Sequence, residues 1–211
     1  MKRLPQLFEG NREWARRIES ERPGFFQRLA AQQSPKHLWI GCADSRVPAN
    51  EICGLDPGEM FVHRNIANVV VHTDFNCLSV LQYAVDVLKV EHIIVCGHYR
   101  CGGVMAALDS RPHGLIDNWL RNIKDVHAMH HDRFEDPSMT REERADLLCE
   151  LNVEAQVANV CYTTIVQDAW ARQQPLAVHG WIYSLDDGLL KDLDLCVESL
   201  DQLPRIYHMD T

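Results

Sequence analysis

Nowhere in these 211 residues does an apolar run approach the roughly 20 residues that span a bilayer. Lys/Arg-rich runs are missing too, and the net charge is −9. Both features argue against nucleic acid or an anionic membrane surface as partner. The eight cysteines include no C-x-x-C pair. Met1-Lys2-Arg3-Leu4-Pro5 leads into polar sequence, not an apolar signal core. Reduced thiols and a cytoplasmic location are therefore expected. Neither G-x-G-x-x-G nor the Walker pattern occurs, so Gly102 and Gly103 make only a weak case for a phosphate-binding module. Repeats, low-complexity tracts and linkers are absent. With 46% hydrophobic and 24% charged residues, the composition suits one globular domain over residues 1–211.

What is present is an alternation of short apolar runs and amphipathic stretches. Residues 38–42, 60–63, 92–96 and 176–183 read as strands. Residues 11–32 read as a helical arm, with Trp14, Ile18, Phe25, Phe26 and Leu29 as its apolar stripe and Pro23-Gly24 as a break. Residues 76–88 carry a helical period, capped by Asp74 or Asn76. Helices are also expected over 102–108, 115–131 and 141–172. Strands separated by helices predict an α/β fold: a mostly parallel central sheet of four or five strands, wrapped by helices. The arm, residues 1–34, has weak reason to fold alone and is expected to pack on its own domain or on a neighbouring subunit.

Three side chains at strand ends carry the chemistry. Cys42 closes the first strand, and His98 and Cys101 follow the third, in Gly97-His98-Tyr99-Arg100-Cys101-Gly102-Gly103. Ligands of such sheets collect at the carboxyl ends of strands. A lone cysteine or histidine would be ordinary core, and Cys53, Cys77, Cys96, Cys149, Cys161 and Cys196 read that way. The set Cys42, His98 and Cys101 instead suits zinc, because thiolate and imidazole are poor ligands for magnesium or calcium. Three protein ligands leave a fourth position open, as in catalytic sites. Asp44 and Arg46 alternate after Cys42, so they share a face and can form a bidentate pair. A carboxylate so held can orient a zinc-bound hydroxide. The simplest reaction needing only that nucleophile and a small apolar pocket is CO2 hydration.

Three motifs together resemble those of the β-class carbonic anhydrases. They are Cys42-Ala43-Asp44-Ser45-Arg46, the stretch Glu59 to Asn68, and Gly97 to Gly103. The resemblance implies one zinc per subunit on Cys42, His98 and Cys101, with an Asp44–Arg46 dyad. It implies that Gln33 and the Gly102 N–H help hold CO2 or bicarbonate. Phe61, Ile66 and Tyr83 match the apolar pocket, which a dimer partner partly supplies. The implied assembly is a homodimer with the arm lying across it, pairing into a homotetramer. Trp39, Arg64 and Tyr183 match a bacterial subgroup with a second, inhibitory bicarbonate site. There the inactive state moves Asp44 onto zinc. The alternative is a non-catalytic zinc protein with Asp44 as permanent fourth ligand. Arg100 departs from many relatives. His63, His72, His113, His127, His130 and His131 are available as proton shuttles, and each reads first as a solvated surface residue.

Overall fold

A computed structural model of the chain describes residues 3–31 and 33–209. Met1, Lys2 and Gln32, the last residue of the expected arm helix, lie outside the described residues. The chain divides into two compact units, residues 1–34 and 35–211. In the first, α1 (Pro5–Glu21) begins on a proline, whose missing N–H is harmless in a first turn. It ends before Pro23-Gly24, and α2 (Phe25–Ala31) follows. The Phe26 ring meets Trp14 and Phe25 edge-on, at 5.4 and 5.2 Å between centroids. No residue of α1 is buried, and Leu7, Phe8 and Trp14 are exposed on it.

The second unit is built on five strands: β1 (His37–Cys42), β2 (Met60–Asn65), β3 (His92–His98), β4 (Ala177–Tyr183) and β5 (Leu190–Val197). Their order is β2-β1-β3-β4-β5, parallel except for β5 against β4. The chain leaves β1 toward β2 on one side and leaves β3 toward β4 on the other. This reversal opens a crevice between the carboxyl ends of β1 and β3. The two strands are buried on both faces beyond their first residues, which explains their unbroken apolar sequence.

Helices α3 (Ala49–Ile52), α4 (Phe75–Gln82), α5 (Gly102–Leu108), α6 (Ile116–Met129), α7 (Arg141–Cys161) and α8 (Thr164–Ala171) complete the unit. Asp74 caps α4 by accepting from the Asn76 N–H, and the helix runs on into a π turn over Tyr83–Val87. The single helix expected over 141–172 is two, because Thr163 caps a new start by accepting from the Val166 N–H. The short α3 and strand β5 lie outside the sequence reading. Strand β5 is an outer strand whose charged residues Lys191, Asp192 and Asp194 mask its alternation.

Helices α4, α7 and α8 pack Leu81, Val85, Val153, Val157 and Val166 against Leu38, Ile40, Ile93 and Val95 of the sheet. Burial of each such side chain contributes about 1.5–3 kcal/mol. Among the described residues, no helix is long and apolar enough to cross a membrane. Helix α7 starts with a capping box, in which Thr140 and Glu143 satisfy each other's backbone N–H groups. Thr140→Ala should lower the unfolding free energy by about 0.5–2 kcal/mol in urea titrations. An unchanged midpoint would mean that the cap carries no stability.

Candidate metal centre

Cys42 is the last residue of β1 and His98 the last of β3, so the crevice brings them together. Cys101 stands at the N-terminus of α5. The ligand atoms of Cys42, His98 and Cys101 all lie within 4.8 Å of one another, and the three residues are buried. The two sulfurs are 3.9 Å apart. That is far beyond a disulfide and close to the roughly 3.8 Å between two thiolates on a tetrahedral zinc. His98 Nδ1 lies 2.9 Å from the Tyr99 carbonyl, which can only accept, so Nδ1 carries the proton. The lone pair is left on Nε2, which is buried with no hydrogen-bond partner. An orphaned buried nitrogen facing two thiols is what a soft-ligand metal site requires.

The backbone stabilises charge on both sulfurs. Cys42 Sγ accepts from the N–H groups of Asp44 and Ala67, and Cys101 Sγ from that of Val104 in the first turn of α5. The Cys101 thiol donating to Cys42, more than any other contact, pulls Cys42 down in pKa; the same bond, with burial, pushes Cys101 up. The pair therefore gives up its first proton more readily than its second. Bringing both thiols to thiolate needs a cation between them.

Asp44 is bound twice by Arg46, with Nε to Oδ1 at 3.0 Å and Nη2 to Oδ2 at 2.7 Å. These bonds, foremost, hold its carboxyl well below the usual range, so it stays ionised through neutral and mildly acidic pH. Its Oδ2 is 3.8 Å from His98 Nε2. Arg64 donates from Nε to the Cys42 carbonyl at 2.8 Å and from Nη2 to the Asp44 carbonyl, fixing the segment that carries both side chains.

The other expected site residues are spread over the fold. The Gly102 N–H opens α5 beside the centre. Ile66 touches the same helix end: a Cβ on Gly103 would come within 2.8 Å of Ile66 Cγ2, so glycine permits the approach. Phe61 and Tyr83 contact each other, at 5.8 Å between ring centroids. Phe61 pairs with Leu38 while Asn65 pairs with Cys42. Phe61 therefore sits about 13 Å down the strand from the sulfur. Gln33 is exposed and belongs to the first unit. Trp39 is fully buried, and its Nε1 has no partner. That indole nitrogen overlies Gly41, where any Cβ would meet it at 2.2 Å. Arg64 pairs with Gly41 across the ladder, and Tyr183 joins the cluster around Trp39.

Some side chains behave differently from their sequence reading. His63 is buried, not solvated, and burial pushes its pKa down. Cys196 is exposed and Cys53 partly so, because each lies at the rim of the unit and not in its core. Arg100 faces solvent, with Nη2 2.8 Å from the Asp186 carboxylate. An amide ladder on α7 is missing from the sequence reading altogether. Ala67 and Asn68 adopt left-handed φ of 62° and 48° just after β2. Asn152 Nδ2 holds the Ala67 carbonyl at 2.9 Å, and Gln156 Oε1 accepts from the Val70 N–H at 2.8 Å. Asn159 Nδ2 holds the Val70 carbonyl at 3.0 Å. The i, i+4, i+7 spacing of these amides on an otherwise apolar helix face is the signal that could reveal them.

The sequence profile of the family described as "Carbonic anhydrase" matches residues 37–190, most of the chain. The chain belongs to the carbonic anhydrase family. A carbonic anhydrase of Emericella nidulans is 50% identical over 97% of this chain and 90% of its own length. A Coccomyxa β-carbonic anhydrase, solved in complex with acetazolamide, superposes with a TM-score of 0.91 at 41% identity, covering 96% of this chain and 91% of that one. One of two tetrameric β-carbonic anhydrases from Sordaria macrospora gives 0.86 at 40% identity, covering 91% and 97%. These likenesses place the carbonic anhydrase fold seen here in the β class.

Cys42→Ser, His98→Ala and Cys101→Ser should each bind one metal ion fewer per chain than wild type by elemental analysis, while circular dichroism stays native-like. A variant with unchanged metal content would remove that residue from the ligand set.

Proposed function

We propose that this protein catalyses the reversible hydration of CO2 to bicarbonate and a proton, with one zinc per subunit held by Cys42, His98 and Cys101. The observation that carries this reading is the buried, partnerless Nε2 of His98 beside two sulfurs 3.9 Å apart. When bound, zinc is a Lewis acid that acidifies water and supplies a nucleophile near pH 7. The protein's own groups do the rest. Asp44, locked by Arg46, presents a permanent acceptor that orients the nucleophile's proton away from the substrate. The first-turn N–H of Gly102 faces the oxygen on which negative charge develops. Ile66 keeps the approach apolar for an uncharged substrate.

The alternative is a non-catalytic zinc protein with Asp44 as permanent fourth ligand. It would require the carboxylate to give up two charge-assisted bonds to Arg46. The observed pairing favours the dyad. Phe61, distant along β2 from Cys42, and its neighbour Tyr83 serve the pocket of a partner subunit. The exposed apolar residues Phe75, Tyr83 and Val87 suit that homodimer contact. The tetrameric Sordaria relatives support further pairing into a homotetramer. Residues 1–211 serve this one function, in the cytoplasm.

The finer reading is regulation by bicarbonate at Trp39, Arg64 and Tyr183. The Trp39 N–H is a buried donor without an acceptor, and an anion would supply one. The Arg64 guanidinium retains donors beyond its two carbonyl bonds. Occupancy there would loosen the 42–44 segment and free Asp44 to reach zinc.

Asp44→Asn should retain metal yet lose most CO2 hydration, by about 100-fold or more. Near-normal stopped-flow turnover would count against the dyad. Trp39→Phe keeps an aromatic ring but removes the N–H donor, so half-inhibition should need severalfold more bicarbonate. An unchanged inhibition curve would sink the regulatory reading.

A further inference from the structure

At the opposite end of the sheet, three imidazoles share one face. His37 and His92 are the first residues of β1 and β3 and are direct partners across the ladder. His179 of β4 pairs with Ile94, two residues further along β3. With Ile94 and Trp181 they line a cavity of about 210 Å³. His92 Nδ1 lies 3.1 Å from His179 Nε2. His37 stacks on His92 at 5.6 Å between centroids, and its Nδ1 is buried without a partner.

We propose that this cavity is a second metal site, taking a borderline divalent ion such as Zn2+ or Cu2+ on His92 and His179, with His37 as third ligand. Two nitrogens on one such ion stand about 2.9–3.4 Å apart, depending on the ligand angle. The His92–His179 separation falls inside that range, so inserting the ion replaces one hydrogen bond with two metal bonds. His37 reaches the ion by turning its ring, which gives its orphaned Nδ1 a partner. Imidazole is the ligand that zinc and copper share, whereas magnesium and calcium require oxygen. The surroundings favour a cation, because Asp192 and Glu198 lie close enough to act on His179. Burial, the largest influence on that ring, lowers its pKa and so favours the neutral form that binds metal. Cys196 pairs with His179 across the β4–β5 ladder, placing an exposed thiol on the same face. The site lies at the amino ends of β1, β3 and β4, so an ion there would tie three strands together without touching the reaction centre.

The test counts ions on the zinc-replete full-length protein after dialysis against excess Zn2+. Wild type should hold two per chain, and the double variant His92→Gln/His179→Gln one. Affinity for the second ion should fall by more than roughly 100-fold, beyond what loss of an outer-shell partner alone produces. Cys42→Ser should keep the ion at the histidines, which separates this site from the catalytic one. Cu2+ added to zinc-replete wild type should show electron paramagnetic resonance coupling to two or more imidazole nitrogens. A single ion per chain at saturating zinc would overturn the proposal. So would a second ion that survives the double variant, or that disappears in a His127→Gln/His130→Gln/His131→Gln variant. Should the double variant fail to fold, the wild-type copper spectrum decides: a spectrum without nitrogen coupling would refute the site.

Discussion

Two sulfurs and an imidazole lone pair in one buried pocket form the constraint around which the rest is arranged. Thiolates out of water are unfavourable unless a cation compensates them, and the crevice between β1 and β3 offers no side-chain cation at hydrogen-bonding distance to either sulfur among the described residues. Arg46 is committed to Asp44, and Arg64 to backbone carbonyls. The donor set of the pocket therefore suits a metal ion. Its shape follows from topology: Cys42 and His98 meet because the strand order reverses where β1 and β3 end.

The precision of the pocket comes from a shell that holds backbone more than side chains. Arg64 grips the carbonyls of Cys42 and Asp44, and the Tyr99 carbonyl selects the His98 tautomer. Tyr99 is itself anchored through its hydroxyl to Glu150 on α7, which also holds Lys191 of β5 at 3.0 Å. The Ala67–Asn68 turn is strained, at a typical cost of about 1–3 kcal/mol per residue, and the buried amides of α7 hold it there. The same turn delivers the Ala67 N–H to the Cys42 sulfur.

Much of this was legible in the sequence. The unbroken apolar runs before Cys42 and His98 marked strands covered on both faces, and strand ends are where an α/β sheet builds sites. Alternate placement of Asp44 and Arg46 was enough to anticipate their pairing. What stayed hidden depends on long-range contact. The ladder of Asn152, Gln156 and Asn159 has meaning only once α7 lies on the loop after β2. Strand β5 escaped notice because an outer strand tolerates charge on its exposed face. The family resemblance singled out Phe61 and Tyr83, but nothing local shows that Phe61 lies far along β2 from Cys42. His63 gave no local sign that β2 would bury it.

The most direct test of the central claim is X-ray absorption at the zinc edge on the His92→Gln/His179→Gln protein carrying one zinc per chain. Two sulfur scatterers at about 2.3 Å and nitrogen or oxygen scatterers at about 2.0–2.1 Å are expected. A shell of nitrogen and oxygen alone, without sulfur, would contradict the convergence of Cys42, His98 and Cys101 on one ion.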